Sequence, residues 1–212
     1  MFSNKSINLF VILLLAQLAF GKPADENVST VYDPDEEEYR KDPSPKTQFV
    51  VYTYDNIMAL AKPYAADAVQ LSLNILKDES FKANEKPEVM EFRKTLQMFV
   101  NKYELTRNMQ KVWDFIDVYD NAIDHYYELP DEKRTTETQF ILDILNKYEA
   151  KNLEQTFVKQ LDVFIEKFMK KFNDTKEHLD SDMLVWYENF KTLKDFKERY
   201  RALIAFILLG LI

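Results

Sequence analysis

The side chains able to do chemistry are few, and their spacing does not assemble them. The chain has two histidines, His125 and His178. His125 has Asp124 beside it and Glu128 three residues on, while His178 has Asp182 four residues on. A helical di-metal carboxylate site uses Glu-x-x-His twice, with two further inward glutamates, and no Glu-x-x-His occurs here. His178, Asp180 and Ser181 form a triad only on paper, because neighbouring helical positions point in different directions. Cysteine is absent, which removes thiolate nucleophiles, sulfur-ligated metals and disulfides. The only glycines, Gly21 and Gly210, sit near the chain ends. Phosphate loops, dinucleotide fingerprints and nucleophile elbows all need internal glycine. The expectation is a protein that is not an enzyme, with no catalytic, cofactor-binding or metal-binding residues and no cofactor.

Helical periods dominate the elements available to position any site. From Gln48 onward, Tyr54, Ile57, Ala61, Tyr64, Ala68, Leu71 and Ile75 alternate by threes and fours and form one stripe. Pro63 falls inside it and predicts a kink or a split. A second stripe opens at Pro87, runs through Phe92, Leu96, Phe99 and Tyr103, and continues through Val112, Ile116, Tyr119, Ile123 and Tyr126. Weaker patterning at 104–108 predicts a break or a bend there. A third starts at a Thr136/Gln139 capping box and carries Ile141, Leu145, Tyr148, Leu153, Phe157, Leu161, Phe164, Phe168 and Phe172. Val158, Ile165 and Met169 widen its face beyond a two-helix seam. The last element holds coiled-coil-like heptad spacing from Leu179 to Leu211, with Lys197 as its one exception. These readings predict an all-α domain over 48–212: an antiparallel, up-and-down four-helix bundle of long amphipathic helices, its first helix kinked.

The first 21 residues read as a secretory signal peptide. Lys5 is their only charge, an apolar run follows from Leu9 to Phe20, and Ala19-Phe20-Gly21 has small-x-small spacing. The expected destination is extracellular. Residues 22–47 hold four of the seven prolines and a dense set of acids, with few apolar side chains to bury. They read as a disordered acidic tail. The dibasic pair Arg40-Lys41 marks a place where a propeptide ending at 41 would be cut. Tyr32 and Tyr39 flank the acidic run, a context that favours tyrosine sulfation. Asn27-Val28-Ser29 and Asn173-Asp174-Thr175 fit the glycosylation acceptor pattern, so Asn27 and Asn173 are expected to carry glycans.

Partners follow from charge and surface. At a formal charge of −8, the chain is a poor match for nucleic acid, which attracts the opposite balance. The Lys167–Lys171 cluster interleaves core aromatics rather than forming a basic face. The leading expectation is a secreted binding protein whose partner is an extracellular macromolecule. The alternative is a carrier of a lipid or other apolar small molecule, suggested by 16 Phe, 12 Tyr and 2 Trp on wide apolar faces. An enclosed space of roughly 300 Å³ or more between the helices would favour the carrier. Residues 202–212 lack any polar side chain. As a helix they would reach about 16 Å, half of a ~30 Å hydrocarbon core. Leu203, Phe206 and Leu209 lie off the heptad seam, as an apolar contact surface expected to pack on the first helix or on Phe49–Tyr52. A residual patch there would serve self-association or contact with a membrane interface.

Overall fold

Helix α1, Pro45–Lys77, begins where local chemistry favours a start. Ser44 is its N-cap: the hydroxyl accepts from the Thr47 N–H at 3.2 Å, and Pro45 fills the first turn, where its missing donor costs nothing. Asp42 locks this start by accepting from the Ser44 N–H at 2.9 Å and from the Thr47 hydroxyl at 2.6 Å. In this computed structural model the described residues are 40–103 and 109–210. Helix α1 therefore begins three residues before Gln48. Residues 22–39 lie outside those described.

Pro63 does not split α1, which runs through it. The ring lies on the exposed side, as does Ala59, whose carbonyl Pro63 leaves without its helical donor. Water can satisfy that carbonyl, so the helix continues.

The sequence stripes are divided more finely than expected, into eight α-helices and two short 3₁₀ turns among the described residues. Asp78 ends α1 and caps α2, Glu79–Ala83, through the Phe81 N–H at 3.0 Å. Helix α3, Pro87–Lys102, stops at Tyr103, and α4 spans Met109–Glu128. The break or bend expected at 104–108 falls on residues outside those described. Helix α5, Thr136–Lys147, has its capping box one residue earlier than predicted, between Thr135 and Thr138. The Thr138 hydroxyl does the work expected of Gln139, accepting from the Thr135 N–H at 2.9 Å.

Two expected long helices are in fact pairs. The third stripe breaks at Glu149, whose φ of 56° separates α5 from α6, Ala150–Thr175. The last stripe breaks between α7, Ser181–Phe190, and α8, Phe196–Gly210. Asp195 starts the new helix by accepting from the Glu198 N–H at 3.0 Å. Asp-x-x-Glu before an apolar run is an N-terminal signature that the unbroken heptad spacing concealed.

The core is built around α1, which packs against α3, α4, α6 and α8. Phe49 near its start meets Phe172 (6.0 Å between ring centroids) and Phe206 (5.0 Å); Tyr64 farther along meets Phe157 (4.7 Å). Phe168 is fully buried and lies 5.0–5.8 Å from Phe49, Trp186, Phe190 and Phe206. Phe172 stacks on Tyr187 at 3.8 Å. Rings from α1, α6, α7 and α8 therefore share one cluster, and offset and edge-on contacts of this kind add to the gain from area burial. Gly210 closes the end of α8 against α1: a Cβ placed there would run into Val50 Cγ2. All described residues belong to one compact unit.

Candidate functional site

The densest chemistry lies inside the protein, where α1, α4, α6 and α8 meet. Asp120 on α4 is only 4% exposed. Its Oδ1 accepts a 2.5 Å hydrogen bond from the Tyr64 hydroxyl on α1. Tyr119 and Tyr200 bring two more buried hydroxyls, neither with a hydrogen-bond partner. Tyr200 is held by stacking on Trp113 at 4.4 Å and by the Phe157 ring at 5.7 Å. At the solvent side, Lys197 donates to Asp124 Oδ2 at 2.7 Å. Lys151 approaches Asp124 Oδ1 at 3.6 Å and pairs with Glu154.

Burial dominates the protonation of this group. Loss of solvation pushes the Asp120 carboxyl up to about 7; the Tyr64 hydrogen bond and Lys197 oppose the shift, while Asp124 and Glu154 add to it. Burial, then the Asp120 charge, raises the Tyr64 and Tyr200 phenols far above their usual range. Lys197 is pulled down by burial, but Asp124 more than reverses this and keeps it an ammonium. Chemically, the cluster can hold and release one proton at Asp120. With so little exposure, Asp120 offers no face to a bulky substrate.

Two signals for this cluster were present in the sequence. Trp113, Asp120 and Tyr127 are spaced by sevens, which puts a carboxylate between two aromatics on one helix face. Lys197, the exception in the last heptad series, is the cation that faces Asp124. Neither signal names its partner, because the partners lie on other helices.

The residues singled out from the sequence are not brought together. Asn173 sits exposed in the last turn of α6, its amide donating to the Tyr187 hydroxyl at 3.5 Å. Thr175 of the same acceptor pattern is buried. Asn27, Tyr32 and Tyr39 lie outside the described residues. Leu203 and Phe206 are wholly buried, with the Phe206 ring 5.0 Å from Phe49 of α1, where packing on the first helix was expected; Leu209 is half-buried. Helix α8 packs against both α1 and α7, so residues off the heptad seam are buried along with those on it.

His178 is exposed on the 3₁₀ turn after α6. His125 is exposed on the rim of an open groove of about 340 Å³ between α3 and α4, floored by Phe92 and Tyr126 and edged by Glu88 and Glu91. Among the described residues, no group of three or more His, Asp or Glu side chains could hold a metal ion. No described helix is long and apolar enough to cross a membrane. No family model matches the chain, and no curated protein or solved structure matches it either.

Proposed function

We propose that this chain is a secreted, non-enzymatic helical-bundle protein that acts by binding an extracellular macromolecular partner. One observation carries the reading: the aromatic side chains that could have lined a ligand chamber are packed on one another. The ring cluster around Phe168 leaves the wide apolar faces of α6 and α8 engaged with α1 and α7. Recognition is thereby left to the outer surface, where the large exposed apolar residues Met90, Met98, Val118, Val163 and Val185 are spread over four helices. Up-and-down antiparallel packing is the reading of the scaffold that best suits these contacts. Ring pairs such as Phe49–Phe172 and Tyr64–Phe157 support it for α1 and α6. A bend at Pro63 belongs to the same reading.

Secretion rests on the leader-like first 21 residues, and the acidic residues ahead of α1 would add a polyanionic arm suited to a basic partner surface. Glycans at Asn173 and Asn27 fit a protein that travels the secretory route.

Native mass spectrometry of the secreted chain tests the reading, with lipid extraction as its control. The expected result is a glycan-bearing protein free of apolar adducts, whose melting temperature survives extraction unchanged. A stoichiometric lipid whose removal lowers the melting temperature would replace this reading with the carrier. Glycosidase treatment that leaves gel mobility unaltered would remove the glycans from the proposal.

A further inference from the structure

We infer that the meeting point of α1, α4, α6 and α8 is a proton-operated latch, in which a proton held by Asp120 beside Tyr64 keeps α8 seated on the other three helices and its loss loosens them.

The carboxyl is boxed in. Asp120 is 4% exposed and has the Tyr64 hydroxyl on Oδ1 at 2.5 Å. A buried carboxylate needs two or three donors to replace its hydration, and with fewer the neutral acid is favoured. As a neutral acid Asp120 gains an O–H of its own. Two buried phenolic oxygens in the same cluster, those of Tyr119 and Tyr200, have no hydrogen-bond partner.

The groups facing Asp120 do not make up the deficit. From α1 there is Tyr64, and from its own helix Tyr119 and Asp124. From α6 comes Glu154, with Lys151 turned to Glu154 and Asp124. From α8 come Tyr200 and Lys197, and the ammonium is already engaged by Asp124 at 2.7 Å. Two carboxylates oppose ionisation of Asp120, and the nearest cation is shared. Burial accordingly sets its proton affinity near neutrality, at about 7.

Helix α8 brings its own side chains to the same junction. Helix α8 is reached through the short 191–195 connection and is tied to α4 by Lys197–Asp124 and by Arg201–Asp117 at 3.0 Å. Tyr200, between those two ion pairs in sequence, is the α8 ring in the cluster. A carboxylate formed beneath it must draw in water or reposition Lys197, and either change bears first on the α8 contact.

Linkage gives the direction. A folded-state proton affinity raised from 3.8 to about 7 means that the native protein keeps a proton which the unfolded chain releases. The added stability is complete below about pH 4 and is lost as pH rises through about 7.

The test compares the full chain with Asp120→Asn, which keeps an acceptor for Tyr64 and cannot ionise. Urea unfolding between pH 5 and 8.5 should show the wild-type unfolding constant rising relative to the variant, by up to about tenfold per pH unit below 7. Hydrogen exchange should show the amides of 200–207 losing protection with rising pH in the wild type, beyond the intrinsic pH effect, and not in the variant. Equal pH slopes in both proteins overturn the proposal, as does exchange in α8 that follows global unfolding alone. Should the variant not fold, a carbon-13 NMR titration of the wild-type Asp120 carboxyl decides. A midpoint near 7 supports the latch, and one near the ordinary 4 overturns it.

Discussion

The indole N–H of Trp186 donates to the main-chain carbonyl of Ala202 at 3.1 Å, across sixteen positions of sequence. In one continuous helix those residues would stand about 24 Å apart, at roughly 1.5 Å per residue. The contact exists because the chain reverses at 191–195, and it places the Trp186 ring 5.0 Å from Phe206. The last heptad series is thus a helical hairpin pressed on α1 and α6, not a fourth long helix.

Trp186→Phe should therefore cost about 1 kcal/mol, the net worth of one hydrogen bond, while keeping most of the ring packing. Trp186→Ala should cost roughly 3 kcal/mol through the cavity it leaves. Urea denaturation at neutral pH measures both. Equal losses would mean that the indole N–H contributes nothing to holding the hairpin shut.

Gly210 is small because α8 approaches α1 at that point. Gly210→Ala puts a methyl against Val50, a short branched side chain with little room to turn aside. Overpacking of this kind costs about 1–3 kcal/mol. Pairing it with Val50→Ala should restore part of the loss, and a double-mutant cycle showing no coupling would contradict the contact.

Glu149 joins α5 to α6 with a left-handed φ of 56° and an exposed side chain. Glycine adopts that conformation without the Cβ clash. Glu149→Gly should stabilise by up to about 1 kcal/mol, read as a higher melting temperature, whereas Glu149→Val should destabilise. A glycine variant that melts lower would show that the side chain has a role its exposure conceals.

Asp78 predicts acid sensitivity of the opposite sign to Asp120. Hydrogen bonds from Lys147 at 2.5 Å, from Ser80 and from the Phe81 N–H hold its carboxyl well below the usual range, against the opposing effect of burial; Tyr148 adds a further bond at 3.0 Å. A depressed folded-state value adds stability above the unfolded value of 3.8, and this is lost as pH falls below it. Asp78→Asn should weaken the protein at pH 7 by about 1–2 kcal/mol, in the range of a lost helix cap and its partners, and the deficit should shrink toward pH 2. Thermal melts from pH 2 to pH 7 report it, and a deficit constant over that range would exclude an ionised Asp78 as its source.

Helical class and the inward faces were legible in the residues alone. Without internal glycine for tight hairpins, and with apolar residues at spacings of three and four, the chain had helices as its means of burying Ile57, Phe99, Leu145 and Phe168. Side-chain periodicity is local, so it survives whatever the helices later do. The tertiary structure decided where the helices end. A heptad series reads the same whether the chain runs straight or folds back, because a break at Glu149 or at 191–195 costs only a cap or one unfavourable φ. That small cost is outweighed by ring contacts, Trp186 on Phe206 and Phe49 on Phe172, between residues distant in sequence. The same holds for Asp120 and Lys197. Each appeared in sequence as a polar residue on an otherwise apolar face, and their roles came into being when four helices met, burying Asp120 and setting Lys197 against Asp124 at the edge.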